Sequence, residues 1–96
     1  MLLHIHYRNG EQIMEAINYT YDKDADAIYI YLSDKPYSYT VELDNSRNIN
    51  YAEDNTPIGI ELLYVSNGVN SMDLPNVMAV ERVLEVLSRE KIRILV

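Results

Sequence analysis

Residues 19–32, Tyr-Thr-Tyr-Asp-Lys-Asp-Ala-Asp-Ala-Ile-Tyr-Ile-Tyr-Leu, leave few folds open. Two alternating runs rich in β-formers flank the acidic break Asp22 to Asp26, which is the pattern of a β-hairpin. Side chains alternate with period two along a strand, so Ile28, Ile30 and Leu32 share one face of the second strand and Tyr29 and Tyr31 the other. Both faces carry large apolar bodies. Such a strand belongs at the centre of a sheet, with the domain's own core on one side and an amphipathic surface, such as a second subunit, on the other.

The flanking segments extend the sheet. Leu3, Ile5 and Tyr7 alternate with His4, His6 and Arg8 as far as Asn9-Gly10, the dipeptide of a type I′ turn. A two-residue loop there sets Arg8 opposite Glu11, His6 opposite Ile13 and His4 opposite Glu15, with Ile5 facing Met14 and Leu3 facing Ala16. Ile13, Ile17, Tyr19 and Tyr21 share a parity with Glu15, which calls for a bulge or break near Ala16 to Asn18. After the central hairpin, Tyr39, Val41 and Leu43 alternate with polar residues. Asp44 to Arg47 turns the chain, Ile49 and Tyr51 point inward, and Glu53 to Pro57 turns it again. Ile58, Ile60, Leu62 and Tyr64 then point inward, with Leu63 and Val65 outward. Leu74-Pro75-Asn76 marks a helix start, and Val77, Val80, Val83, Leu84 and Leu87 form one stripe at helical spacing, with Glu85 and Arg89 an i,i+4 pair. Ile92, Ile94 and Val96 suggest a short terminal strand. The expected fold is α+β in a single domain: an N-terminal hairpin over residues 1–18, a meander over 19–65, and a helix with a terminal strand over 74–96. Its antiparallel sheet, the N-terminal hairpin plus about five further strands, packs against the one amphipathic helix.

Charge divides unevenly. Residues 1–65 hold eleven acids and four bases and so carry the whole net charge of −7, while residues 66–96 balance. That disfavours direct contact with nucleic-acid phosphates and favours a basic partner. The chain has no Cys, hence no disulfide framework, thiolate nucleophile or zinc-thiolate site. No run approaches the ~18 apolar residues of a membrane span, and the expectation is a cytoplasmic protein with no membrane partner.

Tyr21 to Leu32, followed by Thr40-Val41-Glu42-Leu43-Asp44, by Ile49-Asn50-Tyr51 and by Ile58-Gly59-Ile60-Glu61-Leu62-Leu63, resembles the YuzE-like family of small prokaryotic proteins, a domain of unknown function. The resemblance covers about residues 19–65 and implies an antiparallel meander with a helix and no established activity. It also implies, through relatives that look like the antitoxin half of toxin–antitoxin pairs, a protein partner. The turns Asp44 to Arg47 and Asp54 to Pro57 depart from the family in lacking Gly.

Few residues suggest chemistry. Asp22, Asp24 and Asp26 match the start of a calcium loop, but Ala27 and Ser33 stand where that loop needs Gly and Glu. The plainer reading is a turn in which Asp side chains bond nearby backbone N–H groups. Gly59 marks a bulge or a close backbone approach. Asp26 and Glu61 would split their pKa values if brought together, yet nothing in the pattern brings them together. His4, His6 and Glu15 share a face in the proposed register and form the one constellation able to hold zinc or nickel. No Ser sits in a nucleophile elbow. The expected function is therefore a small acidic interaction protein rather than an enzyme, without a cofactor. It would be antitoxin-like, neutralising a basic partner such as a toxin. The alternative is a metal-binding module or metal-dependent enzyme using the two histidines and Glu15. A homodimer through Tyr29, Tyr31, Leu63 and Val65 would cover the second apolar face. The terminal strand at Lys91 to Val96 offers an edge-pairing route to the same end.

Overall fold

The computed structural model describes residues 17–90 throughout and, before them, the backbone of three short strands. Strands β1 (Leu2–Leu3), β2 (His6–Arg8), β3 (Glu11–Ile13), β4 (Ile17–Asp22), β5 (Ala27–Tyr31), β6 (Tyr39–Asp44), β7 (Arg47–Tyr51) and β8 (Pro57–Leu63) precede a 3-10 turn at Val65–Asn67 and helix α1 (Val77–Arg89). Six strands form one antiparallel sheet in the order β1-β4-β5-β8-β7-β6, and β2 and β3 pair separately. The α+β architecture expected from the pattern is the one observed. The meander is present as β6-β7-β8, but its closing strand rather than its opening one docks on β5.

The N-terminal hairpin keeps the register that Asn9-Gly10 demands, with Arg8 opposite Glu11 and His6 opposite Ile13. Leu3 then pairs with Ile17 and not with Ala16. The second strand thus carries one residue more than the first between these pairs, the offset that the parity of Ile13, Ile17 and Tyr19 requires. The expected terminal strand at 91–96 lies outside the described residues.

Two turns replace the missing glycines by other means. In the β7–β8 loop Asn55 takes the left-handed conformation, φ 69°, after a turn closed by its N–H on the Ala52 carbonyl. Asn tolerates that region better than most residues. At Asn45-Ser46 neither residue has positive φ, and a register shift between Glu42 and Asp44 absorbs the twist mismatch. The Asp44 carboxylate holds that turn, accepting from the Ser46 N–H at 3.0 Å and the Arg47 Nε at 2.9 Å.

One face of the sheet is the core. The row Tyr19, Ile30, Ile60 and Ile49 crosses four strands side by side, flanked by Ile28 and Leu62. Val80, Val83, Leu84 and Leu87 of α1 belong to the same cluster. At about 25 cal/mol per Å2, each fully buried Ile or Leu contributes about 1.5–3 kcal/mol. Val77, expected in the helical stripe, is exposed, and Ala79 is buried in its place, because the helix begins after Asn76 and Pro75 lies outside it. The i,i+4 pair of Glu85 and Arg89 forms as expected.

Candidate functional site

The face turned away from α1 consists of two cross-strand rows. Thr20, Tyr29, Glu61, Asn48 and Glu42 lie side by side from β4 to β6, and Asn18, Tyr31, Gly59, Asn50 and Thr40 lie beside them. Alternation along each strand sets this composition: in β4, β5, β7 and β8 these residues neighbour core positions, and β6 at the sheet edge continues both rows. Neither row contains Lys or Arg.

Gly59 is the notch on which the second row is built. A Cβ there would stand 1.9 Å from the Tyr29 hydroxyl oxygen and 2.4 Å from Cζ, so the Tyr29 ring lies diagonally across the bare backbone of β8. Its hydroxyl reaches β7, where Asn50 Nδ2 donates to it at 2.9 Å. Thr40 Oγ1 in turn donates to Asn50 Oδ1 at 2.7 Å. Having spent its one hydrogen, Thr40 accepts from the Tyr37 hydroxyl at 2.9 Å. The chain of donors runs Tyr37, Thr40, Asn50, Tyr29 and ends on a Tyr29 O–H directed at no protein acceptor among the described residues. Tyr31, 47% exposed, packs on the Tyr29 ring with centroids 4.7 Å apart and planes tilted by 58°.

The first row ends in carboxylates. Asn48 Nδ2 donates to Glu61 Oε1 at 2.9 Å, and Glu42 flanks Asn48 from β6. Beyond them a groove of about 770 Å3 opens between Glu42, Asp44, Asn45, Asn48, Leu63 and Tyr64. The Ser46 N–H first and the Arg47 guanidinium second hold the Asp44 carboxyl below the usual carboxylate range. Arg47 itself is buried on the core side, and its Nη1 donates to the carbonyls of Asn70 at 3.0 Å and Met72 at 2.5 Å, tying the segment before α1 to the sheet.

The residues singled out from the sequence divide between this face and the framework. Tyr29, Tyr31, Gly59, Glu61 and Leu63 lie on the open face. Val65 does not: it is 0% exposed and part of the core. Strand β8 stops at Leu63, and Tyr64 adopts φ 54°, which turns the chain over; Val65 goes inward and Tyr64, expected inward, outward. Asp22 bonds the N–H groups of Asp24 and Ala25 at 3.0 and 3.1 Å, as a turn aspartate should. Asp26, at φ 55°, accepts from the Ser66 N–H at 3.0 Å and the Ser66 hydroxyl at 2.6 Å, while its carbonyl accepts from Val65 N–H at 3.1 Å. It fastens the 3-10 turn to the hairpin. Asp26 and Glu61 thus have separate partners. His4 and Glu15 lie outside the described residues, as does the side chain of His6. Among the described residues no three His, Asp or Glu side chains converge to hold a metal ion. Sequence reasoning missed Asn48, Asn50 and Thr40; their parity with Tyr29 and Glu61 was the signal that could have found them.

The family described as Protein of unknown function (DUF2283) matches residues 18–66, from Asn18 in β4 to Ser66 in the 3-10 turn. The chain belongs to this family. The matched segment holds strands β4 to β8 except Ile17, the Asp26–Ser66 fastening and both rows of the open face. No curated protein and no solved structure matches the chain. Among the described residues no helix is long and apolar enough to cross a membrane.

Proposed function

We propose that the chain is a binding module rather than an enzyme, and that its open sheet face takes a basic protein partner. One observation carries the reading: the two rows of the face include Glu42 and Glu61 and no cation. Residues 18–66 hold nine acids against three bases, and two of those bases are already engaged, Lys35 by Asp54 and Arg47 by Asp44. Complementary charge would speed encounter and reject acidic surfaces, while Tyr31 supplies an amphipathic anchor. A second copy of this chain, the partner suggested by an apolar reading of the face, would bring against Glu42 and Glu61 two rows that hold no Lys or Arg. It would also lack Val65 as an anchor. The antitoxin-like role implied by the YuzE-like resemblance is the particular form of this proposal in which the basic partner is a toxin.

Co-expression with the product of the adjacent gene, followed by pull-down at ~50 mM and ~500 mM salt, tests the reading, because screening weakens exposed charge pairs over that range. Retention of a basic product at low salt, with partial release at high salt and relief of its growth inhibition, is the expected result. A basic neighbour that is never retained at low salt contradicts it.

A further inference from the structure

We infer that the groove at the β6–β7–β8 end of the open face is a site for an arginine side chain of the partner, an inference that rests on the proposed binding role of that face. Its lining holds two carboxylates, Glu42 and Asp44, two amide side chains, Asn45 and Asn48, and no Lys or Arg. Asn48 gives one Nδ2 hydrogen to Glu61, and its amide oxygen accepts from none of the described residues. Glu42 makes no hydrogen bond or ion pair to the described residues. Both Asp44 oxygens already serve Ser46 and Arg47, so Asp44 adds negative field rather than a free ligand. Carboxylate and amide oxygens with no cation beside them fit a cationic group that donates, and guanidinium presents five N–H donors and no acceptor.

The remaining wall selects among cations. Leu63 offers apolar surface for a methylene stem, and the Tyr64 ring, 57% exposed, offers a flat face on which a guanidinium plane can stack. The Tyr64 backbone is fixed by its neighbour: it sits at φ 54° beside Val65, which is buried and whose N–H is bonded to the Asp26 carbonyl. A lysine ammonium would satisfy the charge without using the ring plane, and a divalent ion would need carboxylates that converge, which these do not. The groove lies on strands at the opposite end of the sheet order from β1.

Amide NMR titration of the whole protein with N-acetyl-arginine amide, N-acetyl-lysine amide and calcium chloride tests the assignment. The arginine probe should shift Glu42, Leu63, Tyr64 and the Asn48 side-chain amide and bind at least about threefold more tightly than the lysine probe. Tyr64→Ala should weaken it about two- to fivefold, and Glu42→Gln should weaken it to a similar degree. Equal response to arginine and lysine, the same residues moving with calcium, or shifts spread over Asp22, Asp24 and Asp34 would each overturn the site. A basic partner that binds Tyr64→Ala and Glu42→Gln as it binds the parent chain would refute the groove and leave the open-face reading standing. Loss of all binding to the unmodified chain would refute both.

Discussion

The two faces of one sheet follow different rules. On the helix side, Tyr19, Ile30, Ile60 and Ile49 run across four strands as a closed apolar row beneath α1. One residue along each strand, the facing row is Asn18, Tyr31, Gly59, Asn50 and later Thr40, in which Tyr31 packs on the Tyr29 ring and a side-chain hydrogen bond from Thr40 to Asn50 continues to the Tyr29 hydroxyl. The core face needs no partner because α1 supplies one. The open face satisfies most of its polar groups laterally, so it tolerates water, yet it keeps free carboxylate oxygens and an exposed tyrosine ring. The same alternation therefore builds the core on one side and leaves on the other the polar face proposed above to bind a partner.

The largest effect should come from the helix side. Ile60→Ala removes a wholly buried side chain at the centre of the row and should cost about 2–5 kcal/mol, measured by urea unfolding. A similar loss from Thr20→Ala on the open face would erase the contrast. Next is Gly59, where the added methyl must displace Tyr29 and break its bond to Asn50, a cost of about 1–3 kcal/mol. The sharper form is a double-mutant cycle: Gly59→Ala should cost much less in a Tyr29→Ala background, and strictly additive losses would mean that the ring does not occupy the notch.

Smaller still is the acid response. Asp54, held low by the Lys35 ammonium and then by Thr56, and Asp44, held low by Ser46 and Arg47, both ionise more readily in the folded chain than in the unfolded one. Their contribution is complete above the unfolded carboxylate value of about 3.9 and is lost as pH falls through the lower folded values. Urea midpoints of Asp54→Asn and Asp44→Asn should therefore draw progressively closer to that of the parent chain as pH falls below about 4. A difference that persists unchanged to the lowest pH would assign these residues a role other than charge.

Strand existence, the hairpin register and the helical stripe were legible because they depend on local periodicity and turn dipeptides: Asn9-Gly10 sets Arg8 opposite Glu11, and Ile28 and Ile30 point where alternation sends them. What was not legible depends on single backbone angles and distant partners. The left-handed Tyr64 reverses the parity of everything after Leu63 and so takes Val65 from the open face into the core. No local pattern announces that Asp26 will fasten Ser66, forty residues on, or that β8 rather than β6 will dock against β5. Alternation alone makes the open face apolar, through Tyr29, Tyr31, Leu63 and Val65. The Asn50 partner that makes Tyr29 a polar element comes from a strand not adjacent to it in the sheet.

The most direct measurement of the central claim compares two doubly substituted chains of equal net charge. Glu42→Lys with Glu61→Lys places the new cations on the open face, whereas Asp24→Lys with Asp34→Lys places them off its two rows. Binding of an arginine-rich peptide to each would be measured by calorimetry at ~50 mM salt. The account predicts that the first pair abolishes binding and that the second weakens it a few-fold at most, through the lost long-range field alone. Equal losses in the two chains would mean that net charge, and not the open face, does the binding.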